Sequence, residues 1–229
     1  MKLSIVIPTL NESDDIKESL ENLKEKISNK ISFEILVVDG GSTDNTIEIV
    51  NALDYITLIH SDKGRGKQMN TGVTCATGNV LYFLHADSKP PNNFDQLIMS
   101  CIKEGKRAGC FRMKFDYKHW WLFLAGWFTQ FNLKFFRGGD QSLFIEKSLF
   151  QQVGGYPEDA PIFEDYELIR KLYEANEFTV IQKPIITSAR RYKENGVATL
   201  QYHYWLMYIK KWFGASKEDL YHYYKEKIK

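Results

Sequence analysis

Through the first part of the chain, unbroken apolar runs alternate with runs that return an apolar side chain every three or four residues. Leu3 to Ile7 is a run of the first kind, ended by Pro8 and Thr9. Ile16, Leu20, Leu23 and Ile27 then recur at helical spacing within Asp14 to Ile27. Glu34 to Val38 is a second strand, after which Thr43 or Asp44 can cap a helix carrying Ile47, Val50 and Leu53. Tyr55 to His60 is a third strand, Gln68 to Ala76 reads as a helix stopped by Gly78, and Val80 to Leu84 is a fourth strand ending at His85 and Asp87. Such alternation predicts an α/β fold built on a mainly parallel sheet with right-handed crossovers.

Beyond residue 90 the alternation fades into a helix from about Asn93 to Lys103, a strand around Cys110 to Tyr117, and an aromatic segment. The tail from Leu200 is aromatic and basic and reads as one or two helices beside the sheet. No internal repeat or low-complexity linker divides the chain, so one continuous domain is expected.

Chemistry enters where the second strand stops. In EILVVDGGSTDNT, residues 34 to 46, β-prone residues deliver Asp39 to a cluster of glycines, hydroxyls and a carboxamide. An acid at the carboxyl end of a buried parallel strand stands where open α/β sheets bind ligands.

Composition narrows the function classes. Lysine and arginine total 30 against 29 acids, a net charge of +1, so no global field favours nucleic acid. Cys75, Cys101 and Cys110 lack CxxC spacing and a histidine cluster, which suits a reduced, cytoplasmic protein. Met1 runs straight into the first strand without a signal-peptide pattern, and export is not expected. The uncharged aromatic stretch His119 to Leu133 falls short of the roughly 20 apolar residues that cross a bilayer.

Four motifs occur in one order: IPTLNE at 7 to 12, VVDGGSTDNT at 37 to 46, GRGKQMNTG at 64 to 72 and HADS at 85 to 88. Together they resemble a family 2 glycosyltransferase of the GT-A fold over roughly residues 1 to 195. GDQ at 139 to 141, ED at 164 to 165 and SARRY at 188 to 192 resemble a bacterial subgroup associated with radical-SAM neighbourhoods and arsenosugar biosynthesis. The resemblance implies a Rossmann-like, mainly parallel central sheet flanked by helices. It divides the chain into a GT-A domain over 1 to 195 (donor half about 1 to 90, acceptor and catalytic half 91 to 195) and a helical tail over 196 to 229. It also implies a metal-dependent, inverting transfer from a nucleotide-diphosphate sugar to an acceptor in arsenosugar or cell-envelope glycoconjugate synthesis.

Each step of that reaction has candidates by resemblance. Pro8, Asn11, Glu12 and Asp39 fall to the nucleotide, although Glu12 also suits a helix cap. Arg65, Lys67 and Asn70 fall to the diphosphate or base, the alternative for this glycine-rich loop being a solvated turn; it lacks the ending of a Walker loop. Asp87 is the implied ligand of Mn²⁺ or Mg²⁺, while His85 stands where the commoner pattern has an acid and can equally be structural. Asp165 is the implied base, though FEDYEL also fits an acidic helix start. Asp140, Gln141 and Glu164 fall to the sugar or acceptor, and Arg190 and Arg191 to the diphosphate, with a surface arginine pair as the alternative.

Two other functions compete: a nucleotidyltransferase on a similar fold, and a non-catalytic nucleotide-sugar-binding protein. The aromatics between His119 and Phe136 are too many for one helix face. Core packing is the default, and an interfacial membrane helix, a homodimer contact or an acceptor wall stay open, with Lys134 and Arg137 suited to acidic headgroups.

Overall fold

A computed structural model describes residues 1–160 and 162–228. In chain order the elements are β1 (Lys2–Thr9), α1 (Ile16–Lys26), β2 (Ser32–Asp39), α2 (Thr46–Asn51), β3 (Ile56–His60), α3 (Arg65–Cys75), β4 (Val80–Phe83), β5 (Ser88–Lys89) and α4 (Phe94–Lys103). There follow β6 (Ala108–Phe115), α5 (Trp120–Phe128), β7 (Leu143–Glu146), α6 (Lys147–Gln152), α7 (Glu164–Glu174), β8 (Phe178–Thr187), α8 (Arg190–Asn195), α9 (Val197–Trp212) and α10 (Lys217–Lys227).

The eight strands form one sheet in the order β3-β2-β1-β4-β7-β6-β8-β5. The first four are parallel, as the strand-helix alternation predicts. β7 enters antiparallel between β4 and β6, β8 pairs parallel with β6, and β5 closes the edge antiparallel to β8. Period-two alternation sends Leu3, Ile5 and Ile7 to one face, under α1 and α4, and Val6 to the other, under α3, α6 and α7.

Two of the boundaries that differ from the sequence reading bear on the site. β1 continues through Pro8 and Thr9, because its pairing with β4 stops at Val6 and Phe83 and no neighbour on that side needs the missing proline N–H. α3 starts at Arg65, so the predicted basic loop is largely the first turns of a helix, entered through Gly64 at φ 138°. The tail also departs from expectation. Leu200, Met207, Leu220 and Ile228 form their own cluster with Ile162, Phe163 and Tyr192, so the tail packs on the approach to α7 and on α8.

Candidate active site

The carboxyl ends of β1, β2 and β4 lie side by side, and their exits make one wall of the site. Asp39, buried at the end of β2, turns its carboxylate back onto the Gly41 and Ser42 N–H groups, at 2.8 and 3.0 Å, and accepts from the Ser42 hydroxyl. The β1 and β2 exits are tied together: Asn11 Oδ1 accepts from Thr43 N–H at 2.8 Å, and Asn11 N–H donates to Ser42 Oγ at 2.9 Å. Below them the buried Gln68 amide donates to the carbonyls of Thr9 and Val38, both at 2.8 Å, stitching the last turns of both strands to α3. Pro8, half-buried, leads into this exit.

Glu12 does not cap α1 with its side chain. Its carbonyl accepts from Asp15 and Ile16, leaving the carboxylate free of the helix end. Burial raises its pKa; Arg190 opposes and Asp87 adds to the rise, so these three groups share one region. Asp44, one of the two expected caps, accepts from Thr46 N–H at the start of α2.

The α3 motif divides. Arg65 reaches across to Glu164 Oε1 at 3.0 Å, and although burial works against it, the field of Glu164, Asp165 and Asp140 holds its pKa above the ordinary value. Lys67 pairs with the exposed Asp62 at 3.7 Å. Asn70 donates to Tyr156 O and Glu158 Oε1, both at 2.9 Å, and accepts from Tyr156 N–H at 3.1 Å. Its amide therefore braces the 156–158 loop.

The acids of β4, the 139–142 turn and α7 converge. Glu164 is buried and bound to Arg65. Asp165 stands beside it in the first turn of α7 and lies flat on Gly139, where an added Cβ would overlap Asp165 Oδ2 and press on His85 Cε1 at 3.2 Å. Burial first, and then the Glu164 and Asp140 carboxylates, raise the Asp165 pKa to about 8 against the pull of Arg65. The buried Tyr156 hydroxyl lies near Asp165 and has no hydrogen-bond partner among the described residues. His85 Nδ1 is 3.7 Å from Asp140 Oδ1; burial and then Arg65 push its pKa far down, so the imidazole is neutral. Asp87 follows on the same turn, with one carboxylate oxygen 3.4 Å from Ser88 Oγ.

Gln141 does not face the site. Buried with Arg137, it accepts from the Arg137 guanidinium at 2.6 Å and donates to Phe136 O, while Arg137 also donates to Thr129 O and Phe131 O at 2.7 and 2.6 Å. This bolt holds the turn that carries Gly139 and Asp140, and it removes Arg137 from any contact with headgroups. Asp140 itself is largely exposed at the site opening.

α8 and α9 close the other side. Arg190 pairs with Asp15 at 3.2 Å near Glu12, whereas Arg191 lies over the Tyr224 ring at 5.7 Å and next to Tyr204, and sends its field onto both Arg65 and His85. Burial pushes the Tyr192, Tyr204 and Tyr208 phenols up, and Asp140 adds to all three shifts, which places its carboxylate among them. Phe163, just before α7, is a non-glycine residue at φ 62°; its ring packs on Tyr208 at 5.4 Å and lies under Lys211 Nζ at 4.6 Å.

Residues 4–153 match Glycosyl transferase family 2. The chain belongs to this family. Glycosyltransferase AglE of Haloferax volcanii is 34% identical to it over 106 residues, 44% of this chain and 35% of AglE. The PGL/p-HBAD biosynthesis glycosyltransferase of Mycobacterium bovis is 41% identical over 90 residues, 37% of this chain and 34% of that protein. Each match thus spans about a third of the relative's length. Among solved structures, S. aureus TarS 1-349 in complex with UDP aligns at TM-score 0.69 and 20% identity, covering 82% of this chain and 61% of the other. Mannosyltransferase PcManGT from Pyrobaculum calidifontis, solved with GDP-Man and Mn²⁺, aligns at 0.64 and 22%, covering 90% and 59%. The fold of this family 2 chain is GT-A.

Among the described residues no group of three or more His, Cys, Asp or Glu side chains forms a complete metal cage. The donor set of this family 2 chain suits a different arrangement. Asp87 and a neutral His85 on one turn offer a hard cation few protein ligands, the pattern by which Mg²⁺ and Mn²⁺ share themselves with substrate phosphates. Gln68, Tyr156, Tyr192 of α8 and the tail residues Tyr204 and Tyr208 were not singled out from the sequence as site residues. The signal for the last was present: Tyr204 and Tyr208 recur at i, i+4, one helical face of α9.

Gly139→Ala provides a local test of this packing. The added methyl must displace Asp165, so turnover is expected to fall about 10²-fold through misplacement alone. Isothermal titration should show nucleotide binding within a few-fold of wild type, since Gly139 lies on the Asp165 side. Unchanged turnover would show that Asp165 need not sit where the structure puts it.

Proposed function

We propose that this chain is a metal-dependent, inverting glycosyltransferase that takes its sugar from a nucleotide-diphosphate donor. The observation that carries the reading is the position of Asp165: a carboxylate of raised pKa, laid against Gly139, facing the His85–Asp87 turn with Arg65 and Arg191 nearby. Pro8, Asn11, Glu12 and Asp39 are assigned to the nucleoside end, Glu12 having a carboxylate free to accept ribose hydroxyls. Arg65 and Arg191 are assigned to the diphosphate, with Arg190 and Lys67 in outer positions. Asp87, with His85 beside it, would hold the divalent cation, which when bound neutralises charge on the leaving diphosphate.

In the proposed step the acceptor hydroxyl gives its proton to Asp165 as its oxygen attacks the anomeric carbon. The bond from that carbon to the phosphate oxygen breaks, and the electron pair leaves with the nucleoside diphosphate, whose new charge faces Arg65 and Arg191. Attack from the face opposite the leaving group inverts the anomeric centre. Asp140, exposed among Tyr192, Tyr204 and Tyr208, is assigned to the transferred sugar or the acceptor. The motifs shared with the arsenosugar-associated subgroup extend the proposal to an acceptor in arsenosugar or cell-envelope glycoconjugate synthesis.

Purified protein with Mn²⁺ and a panel of nucleotide sugars, with and without candidate acceptors, tests the reading. Release of a nucleoside diphosphate and a product of inverted configuration is expected. Pyrophosphate release would make the protein a nucleotidyltransferase, and donor binding without any turnover would make it a binding protein.

A further inference from the structure

Core packing does not account for the aromatic segment. α5 buries Leu122 and Gly126 against β6, where Gly126 comes so near Met113 O that a Cβ would stand 2.8 Å from it. The opposite stripe, Trp120, Phe123 and Trp127 at i, i+3 and i+7, faces outward, with Trp120 72% and Phe123 75% exposed. α9 repeats the arrangement. Leu200 and Met207 point inward, while Trp205, Ile209 and Trp212 at i, i+4 and i+7 are exposed, Trp212 to 82%. The two helices are joined where the Trp121 ring meets Trp205 edge-on at 5.6 Å and its Nε1–H donates to Gln201 Oε1 at 3.0 Å. Contiguous apolar patches of this kind on soluble domains mark interaction surfaces.

Charge identifies the occupant. Residues 117–139 and 196–216, which supply both helices, contain no Asp or Glu in a chain with 29 acids. Lys118, Lys134 and Lys210 are exposed within these stretches. We propose that the joined outer faces of α5 and α9 dock on a lipid bilayer carrying anionic headgroups. Trp and Tyr rings settle at the headgroup level and lysines reach the phosphates, the composition of an interfacial helix. A second copy of the chain fits less well, because a two-fold contact through this face would set like charges opposite each other. No helix among the described residues is long and apolar enough to cross a membrane, so the contact is peripheral. The surface goes beyond the donor chemistry and can be measured without turnover.

Co-sedimentation with vesicles decides it. The full chain is expected to bind equimolar phosphatidylcholine–phosphatidylglycerol vesicles, to ignore pure phosphatidylcholine, and to be released by high salt. The triple variant Trp120→Ser, Phe123→Ser and Trp212→Ser should bind at least about tenfold more weakly, and Lys118→Glu with Lys134→Glu, both exposed, should weaken binding through charge alone. Unchanged melting temperatures verify that both variants fold. No sedimentation of wild type, equal binding to neutral vesicles, or a solution dimer dissociated by the triple variant would each overturn the proposal.

Discussion

Asp165→Asn is expected to lower turnover by about 10²–10⁴-fold, the usual contribution of a positioned base, while donor affinity stays within a few-fold of wild type. The same substitution should make the protein more stable. An aspartate ordinarily releases its proton near 3.8, but Asp165 in the fold holds it to about 8. Its contribution to stability is therefore complete below pH about 4 and is lost as pH rises through about 8. At neutral pH the wild type already carries part of this cost, and asparagine carries none. A gain of about 1–2 kcal/mol, or roughly 2–8 °C in melting temperature, is expected for a domain of this size. The wild-type rate should climb with pH and level off near 8, where an ordinary aspartate would level off near 4. A rate already flat at acidic pH, or a variant that keeps its turnover, would assign the proton transfer to another group.

Asp87→Ala should act on the other half of the site. Groups that only hydrogen-bond a metal's ligands commonly change metal affinity about 10–100-fold, so removal of the proposed ligand itself is expected to weaken Mn²⁺-dependent donor binding by more than about 10²-fold. Weak, metal-independent binding should survive through Arg65 and Arg191. Ligand binding to the native state raises apparent stability, so thermal shifts with donor, measured with Mn²⁺ and with chelator, separate the two contributions. The shift in Asp87→Ala should match that of chelated wild type. Equal donor affinity in the two proteins, with Mn²⁺ present, would remove Asp87 from the cation site.

The wall built by β1, β2 and β4 was readable from sequence because its information is local. β1, β2 and β4 each announce themselves by an apolar run, and a strand of parallel sheet delivers the residue that follows it to one edge. Asp39, His85 and Asp87 stand where that rule puts them. The side of the site built by the 139–142 turn and α7 was less readable. Gln141, Glu164 and Asn70 look like ligand groups in their motifs, yet they hold Arg137, Arg65 and the 156–158 loop. A carboxamide facing a ligand and one facing a protein partner have the same neighbours in sequence; Gln141 meets Arg137 only four positions away, whereas Asn70 and Glu164 meet partners that no local pattern places beside them. Arg65 and Glu164 stand 99 positions apart. The tail was misplaced for a related reason: helical spacing fixed its inward face but could not say that this face would cover α8 and the approach to α7.

That covering has a mechanical consequence. The match to family 2 ends at residue 153, before Asp165, and the bend that aims Asp165 is a left-handed phenylalanine held under Tyr208 and Lys211. Unclamped, Phe163 would relax toward an ordinary backbone and swing the start of α7 away from Gly139. The terminal helices thus serve the carboxylate as a splint serves a joint. A truncated chain ending at residue 195 would retain every strand, every motif of the donor wall and Asp165 itself, and would still lose its aim.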